Sequence, residues 1–455
     1  MKESNTPPEP RGLVRWLARR IVQRYYPLVE ITNAERIPQS GPVLLCANHG
    51  NSLIDAVMIG IAARRPVRFM AKAPLFDIPV LGRLMKAVGM IPAFRGSDDS
   101  KQVRRNLESL DIGANVLIER KAMGIFPEGK STDQAHLEMV RSGAARMAIQ
   151  AVEAGADDLL IVPIGLTYEH KDKFRSAVLA RVGDPIRVRE ALENHDGHGG
   201  KARRALTGEL ESRLQEVVVH LKQPEWEPWL DDLEKILPPS KSAPQTPARR
   251  LWQRKRIADA MNHFLERDPE RAEQIAEEIQ EYRETTQAAG LDVDSVLLTH
   301  SRGQAALILL WRFLCLVLWA VPALAGILFH IIPFILVRRI AAKLDQPGRK
   351  TISSNRLLVG VPLYLVWYAV AAAVLFFYQP WAATFLLIVP YLGLSALHFC
   401  RQAGLTTTLL RQWSRTLGNR KTLDGLQSRL SSLRERLEKL SRDYSTETNR
   451  KNSRA

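Results

Sequence analysis

Between Leu28 and Leu221, short apolar runs alternate with stretches whose apolar residues recur every three or four positions. The runs Val43–Cys46, Val67–Ala71, Met90–Ala93, Gly124–Phe126, Leu159–Pro163 and Val178–Val182 have the length and composition of buried strands. Helical spacing covers Asp55–Ala63, Ile78–Ala87, Asp99–Glu119 and Met139–Ala154. Strands alternating with helices predict an α/β domain over residues 28–222. In such domains the functional groups usually lie on loops at strand ends.

The pattern changes outside that domain. Residues 1–27 carry a basic amphipathic helix, Arg11–Tyr26, with Leu13, Trp16, Leu17 and Ile21 on one side and Arg15, Arg19, Arg20 and Arg24 as its charge. It reads equally well as a helix on a membrane interface or docked on the globular domain. Residues 223–250, rich in Pro, Ser and Trp-Glu pairs, read as a linker. Residues 251–300 read as a charged helical region. In the membrane region, 301–400, Phe313–Val337, Leu357–Phe377 and Trp381–Cys400 are each long and apolar enough to cross a bilayer. The loop between the first two carries Arg338, Arg339, Lys343, Arg349, Lys350 and Arg356, and the turn at Tyr378 has no charge. By the positive-inside rule the last two spans form a hairpin with both ends cytoplasmic. Pro322 and Pro333 then predict a bent hairpin or re-entrant element in Ala305–Val337, so that the domain before it also faces the cytoplasm. Residues 401–455 are expected to hold a basic amphipathic helix and, after Ser441, a disordered tail. Leu423, Leu426, Leu430, Leu433, Leu437 and Leu440 form a heptad seam, suited to a lone amphipathic helix or to a homodimer through Leu423–Leu440.

Composition narrows the partners. The 455 residues carry a formal charge of +16, which suits nucleic acid, an anionic membrane surface or a phosphorylated substrate. No nucleic-acid motif or basic-aromatic pattern accompanies it, so no nucleic-acid partner is expected. Cys46, Cys315 and Cys400 have neither metal nor disulfide spacing, and no secretory signal is read at the N-terminus.

Candidate chemistry starts at Asn48-His49-Gly50-Asn51-Ser52-Leu53-Ile54-Asp55, directly after the apolar run Pro42–Ala47. A histidine at a strand end can take a proton from a hydroxyl, and a carboxylate on its other ring nitrogen would orient it. The pair also reads as a loop histidine and a helix-capping aspartate. Lys72 and Arg95 follow strand ends, as phosphate recognition requires, though each alone suits a solvated surface. In Ile125-Phe126-Pro127-Glu128-Gly129-Lys130-Ser131-Thr132-Asp133, a strand runs into a carboxylate and a glycine that permits close backbone approach.

Taken in order, Asn48-His49 with Asp55, Arg95 after Pro92, Phe126-Pro127-Glu128-Gly129 and Val162-Pro163-Ile164-Gly165 resemble the four blocks of the glycerolipid acyltransferase family. The resemblance covers roughly residues 30–190. Five residues separate His49 from Asp55, where four are commoner. This spacing looks like the branch acting on glycerol-3-phosphate and dihydroxyacetone phosphate, as do Ser131-Thr132-Asp133, Ser142-Gly143-Ala144, and Tyr168 with Phe174-Arg175-Ser176. The resemblance implies an acyltransferase-type mixed sheet flanked by helices, followed by a helical membrane region and a C-terminal amphipathic helix. It implies that His49 is the base, that Asp55 orients it, and that Arg95, Glu128, Gly129 and Ser131 bind the acceptor. Lys72, Lys130 and Arg175 are added as phosphate contacts, and His136 and His170 read as surface histidines. No cofactor or metal is expected. The partners would be an acyl-CoA or acyl-carrier-protein donor, a phosphorylated glycerol or lysophospholipid acceptor, and membrane lipid. A catalytically silent lipid-binding scaffold on the same fold is the alternative. A serine hydrolase lacks its Gly-x-Ser-x-Gly elbow here.

Overall fold

A computed structural model describes residues 12–94, 100–195, 199–237, 246–344, 350–417 and 419–452. They divide into two compact units. The first comprises residues 1–224, 241–259 and 346–354. Its elements are α1 (Gly12–Tyr25), β1 (Leu28–Thr32), β2 (Val43–Ala47), α2 (Leu53–Ala63), β3 (Val67–Lys72), α3 (Pro79–Ala87), β4 (Ile91–Ala93), α4 (Ser100–Ile118), β5 (Ala122–Ile125), α5 (Gly143–Glu153), β6 (Leu160–Tyr168), β7 (Ala177–Val182), β8 (Ile186–Arg187), α6 (Val188–Glu193) and α7 (Gly199–Val217).

The strands form one mixed sheet in the order β1-β7-β6-β2-β5-β3-β4, with β8 paired to β6. β2 runs parallel to both β5 and β6, and β3 parallel to both β5 and β4. The carboxyl ends of these five strands therefore share one edge. β2 shows why a run with no polar alternation forms a strand here: all five of its residues are buried, as both faces of the sheet are covered. On one face Leu44 and Cys46 join Leu110 and Leu117 of α4, Met147 of α5 and Leu210 of α7 in a single core. At about 1.5–3 kcal/mol for each large side chain removed from water, this core fixes the strand end that carries the chemistry.

Two strands were not expected. β1 alternates around Glu30 and is partly exposed, so it lacks the apolar run of a central strand. β8 has only two residues. The helix expected from Met139 starts at Gly143, because the amides of Glu138 and Arg141 are bonded to Glu128 and to the Pro127 carbonyl instead.

The second unit comprises residues 225–240, 260–345 and 355–455. The segment read as a linker contains α8 (Glu227–Ile236), whose Leu230, Leu233 and Ile236 are buried at helical spacing, with Pro228 in the first turn where its missing N–H is harmless. After it come α9 (Pro247–Arg267, its first half in the first unit), α10 (Pro269–Ala288), α11 (Val296–Thr299), α12 (Arg302–Leu344), α13 (Ile352–Tyr378), α14 (Val389–Thr416) and α15 (Arg420–Asn452).

The bent hairpin expected in Ala305–Val337 does not form. α12 is one continuous helix of 43 residues, about 65 Å long, with Pro322 and Pro333 inside it. Proline is tolerated in apolar helices where neighbouring segments and local adjustment re-satisfy the backbone. The break lies later: the short helix Pro380–Leu387 and α14 meet at 42°. Among the described residues, α12 and α13 are long and apolar enough to cross a membrane, and the bent pair could be a third crossing. α12 and α14 run antiparallel, with Arg312 bonded to the Leu405 carbonyl at 3.2 Å and Arg302 to that of Thr416 at 3.3 Å. At Gly326 a Cβ would lie 2.0 Å from the Leu392 carbonyl oxygen, so only glycine allows this approach.

The leucine seam is not left for a second copy. All six leucines of α15 are buried within the chain. The helix is held by Arg429–Glu281 and Arg436–Glu278, both 2.7 Å, and by Gln427 on the Leu297 carbonyl, also 2.7 Å. Beyond Ser441 the helix continues to Asn452 rather than fraying, and Tyr444 packs on His263.

Candidate active site

His49 leaves the end of β2 through an asparagine clamp. Asn48 accepts from Leu166 N at 2.7 Å and donates to Leu166 O at 3.0 Å, extending the pairing with β6 by one side-chain rung. The backbone of His49 is fixed on both sides: its N–H donates to Glu128 Oε1 (2.9 Å) and its carbonyl accepts from Thr132 N (2.9 Å). The imidazole stacks on Phe126, 4.0 Å between centroids and 14° from parallel.

Nδ1 of His49 lies 2.9 Å from Asp55 Oδ2. Asp55 is fully buried in the first turn of α2, where the helix N-terminus favours negative charge. Its carboxylate also accepts from Asn51 N (2.7 Å) and Tyr168 OH (2.6 Å). Burial, and then the Asp55 charge, push the Tyr168 phenol upward, so it remains a donor. With Asp55 as acceptor, the proton on the ring sits on Nδ1 and Nε2 is left to take one. The His49 side chain is 18 % exposed, enough for a substrate hydroxyl to reach.

Between base and orienter the chain makes a tight turn. Ile54 N bonds to Asn51 O at 3.1 Å, and Ser52 stands at φ 48°, ψ −129°. This is the first central position of a type II′ turn, which glycine fills most easily. A non-glycine residue there stores about 1–3 kcal/mol of strain and persists only when its surroundings over-determine it.

Glu128 is 1 % exposed, and its two oxygens accept from His49 N and from Glu138 N (3.3 Å). Burial pushes its carboxyl up to about 7, against the downward pull of those two amides. This geometry makes Glu128 a brace on the catalytic loop. Gly129 follows at φ 71°, where a Cβ would also meet Arg141 Cδ at 3.2 Å. Lys130 pairs with Glu138 at 2.9 Å, and Ser131 is half-buried in the same connection. Lys72 ends β3, half-buried. Arg175 is exposed at φ 65° between β6 and β7, its N–H on the Tyr25 carbonyl. Arg95 lies outside the described residues. His170 is exposed, whereas His136 is half-buried and 2.7 Å from the Leu221 carbonyl. Direct bonds thus join His49, Asp55 and Glu128, while Lys72 and Arg175 belong to other connections. Sequence reasoning missed Asn51, Tyr26 and Lys171, which no motif spacing marks.

Residues 28–167 match the family model described as Acyltransferase. This segment is an acyltransferase-family domain. The match agrees with the resemblance read from the four sequence blocks. Over 77 residues the chain is 39% identical to glycerol-3-phosphate O-acyltransferase 1 of Saccharomyces cerevisiae, covering 17% of this chain and 10% of that protein. Over 144 residues it is 33% identical to a lyso-ornithine lipid O-acyltransferase of Pseudomonas aeruginosa, covering 31% and 49%. An uncharacterized acyltransferase of Schizosaccharomyces pombe is 21% identical over 80% of this chain and 68% of its own. The chain thus spans a tenth of the yeast relative and about half of the Pseudomonas one. The acyltransferase domain holds His49, Asp55 and Glu128, and the apolar helices lie beyond the matched segment.

Proposed function

We propose that the chain is a membrane-anchored O-acyltransferase that moves a fatty acyl group from an acyl thioester to a hydroxyl of glycerol-3-phosphate or a lysophospholipid. The observation that carries this reading is the His49–Asp55 pair, 2.9 Å apart, with the carboxylate buried and fully bonded. The acceptor hydroxyl gives its proton to Nε2 of His49. Its oxygen attacks the thioester carbonyl, the C–S bond breaks, and the departing thiolate takes the proton from the imidazolium. No acyl-enzyme is required. Such work by a positioned base contributes typically 10²–10⁴-fold, the rest coming from holding the two substrates together. Gly129, Lys130 and Ser131, with Lys72, Arg95 and Arg175, are assigned to the acceptor's phosphate. The His-Asp spacing and the similarity to the yeast enzyme favour glycerol-3-phosphate.

We propose in addition that the catalytic domain faces the cytoplasm. Lys350 and Thr351, which end the basic loop, and Ile352 to Ser354, which begin α13, fall in the same compact unit as the acyltransferase domain. Six basic residues between 338 and 356 favour the cytoplasmic side for that loop, which supports placing the catalytic domain on the same side.

The test uses membranes bearing the full chain, labelled acyl-CoA or acyl-carrier protein, and each of glycerol-3-phosphate, lysophosphatidate and lyso-ornithine lipid, against His49→Ala. Product from glycerol-3-phosphate that is lost in the variant is expected. Product from lyso-ornithine lipid alone would remove the phosphate assignment. Transfer to no acceptor would leave the silent scaffold.

A further inference from the structure

We infer that Ser353 and Ser354, in the first turn of the apolar helix α13, are positioning residues for the catalytic loop. The inference rests on reading the domain as an O-acyltransferase and adds to it a part of the chain far beyond the matched segment.

Five buried groups form a continuous set of bonds in the first unit. Asn51 N donates to Asp55, and Asn51 Nδ2 donates to Tyr26 OH at 2.8 Å. Tyr26 OH in turn donates to Ser353 Oγ at 3.1 Å, and Ser353 Oγ donates to the Lys171 carbonyl. Ser354 Oγ donates to Asn51 O at 3.4 Å. Each hydroxyl has one proton to give, and this direction uses each once. The Lys171 carbonyl is also within reach of Tyr26 OH, so the relay closes on one acceptor. Tyr26, Asn51, Asp55 and Ser353 are fully buried, and Ser354 nearly so. Lys171 reaches back to the same loop, with its ammonium 3.1 Å from Asp133 and 3.4 Å from the carbonyl of Thr132, the residue whose amide holds His49.

Asn51 is the point where these bonds converge. Its amide holds the orienting carboxylate, its side chain holds Tyr26, and its carbonyl takes both the turn hydrogen bond and Ser354. The strained Ser52 follows it directly. A turn at φ 48° relaxes unless its neighbours prevent it, and Ser353, Ser354 and Tyr26 supply that restraint from two distant stretches of chain. Release would let Asn51 N swing away from Asp55 and cost the His49–Asp55 alignment, while leaving the acceptor-side cations untouched.

The experiment measures transfer by the full chain in membranes for wild type, Ser353→Ala with Ser354→Ala, and Tyr26→Phe. Rates are expressed per folded molecule, counted from the unfolding transition. The expected result is a fall in kcat of about tenfold or more in both variants, with KM for both substrates within about twofold. A merely structural loss would lower the folded amount and leave kcat per folded molecule at the wild-type value, and that outcome overturns the inference. A rise in acceptor KM without a fall in kcat also overturns it, because the serines would then act in binding. If the wild type shows no His49-dependent transfer, the functional reading falls and takes this inference with it. His49-dependent transfer that the serine variant leaves unchanged overturns the inference alone.

Discussion

Around His49 the polar side chains are held by named donors and acceptors: Asp55 by three donors, Glu128 by two backbone amides, Asn48 by both polar atoms of Leu166. Along α12 the arrangement is different in kind. Its buried positions are mostly small, among them Ala305, Ala323, Gly326 and Ala341, while Leu318, Val321 and Leu328 are at least two-thirds exposed. One region is held by directional bonds to specific atoms, and the other by close approach of backbones with the large apolar side chains turned outward. Single-atom changes should therefore act steeply in the first region, and volume changes in the second.

The largest effect expected comes from Asp55→Asn, which keeps the shape and removes the charge that holds the tautomer. kcat for acyl transfer should fall by about a thousandfold or more with little change in KM. A loss below tenfold in steady-state assays would mean that the pair does not work as base and orienter.

Glu128 tests the same loop through pH. Its folded carboxyl is raised to about 7, so the fold holds this proton more tightly than the unfolded chain does. The resulting stability is fully present below the ordinary carboxyl range and is lost as pH rises through about 7. It amounts to roughly 3 kcal/mol at most. The unfolding midpoint in detergent should drop between about pH 5 and about pH 8, and Glu128→Gln should flatten that slope. An unchanged slope in the variant would assign the dependence elsewhere.

For the apolar helices the sharp change is Gly326→Leu. It forces α12 and α14 apart where a Cβ already meets a carbonyl, at a cost of about 1–3 kcal/mol. A lowered unfolding midpoint is expected. Retention of the wild-type midpoint would show that the helices do not depend on this approach.

The smallest effect is that of Lys130→Ala. Its pair with Glu138 is half exposed, so stability should change by less than about 1 kcal/mol. A several-fold rise in acceptor KM is expected if Lys130 meets the phosphate, and an unchanged KM removes it from the acceptor site.

The two regions also differ in how far the sequence reveals them. The strands of the sheet from β2 to β7 were legible because each is an apolar run bounded by turn residues, His49 and Glu128 because they follow such runs, and Asp55 because it opens the next apolar stretch. The bonds that complete the loop were not. Tyr26 and Ser353 meet across 327 positions, and no periodicity carries information over that distance. Pro322 and Pro333 misled for a related reason: a proline's local cost is readable, but the packing that absorbs it is not. The leucine seam of α15 was legible as a seam, yet whether a second copy or the same chain covers it depends on α8, α10 and α11, whose placement is tertiary.

The strained turn between base and orienter leaves a mark on which variants the chain can accept. Most surface positions tolerate many side chains; position 52 should not. In a library of all substitutions there, glycine should rank first, with asparagine and aspartate next, since these residues enter positive φ at low cost. Valine and isoleucine should be the most depleted, although the position is only half-buried. The ranking would follow backbone angle rather than hydrophobicity or size, in a stretch where the adjoining residues are selected for chemistry.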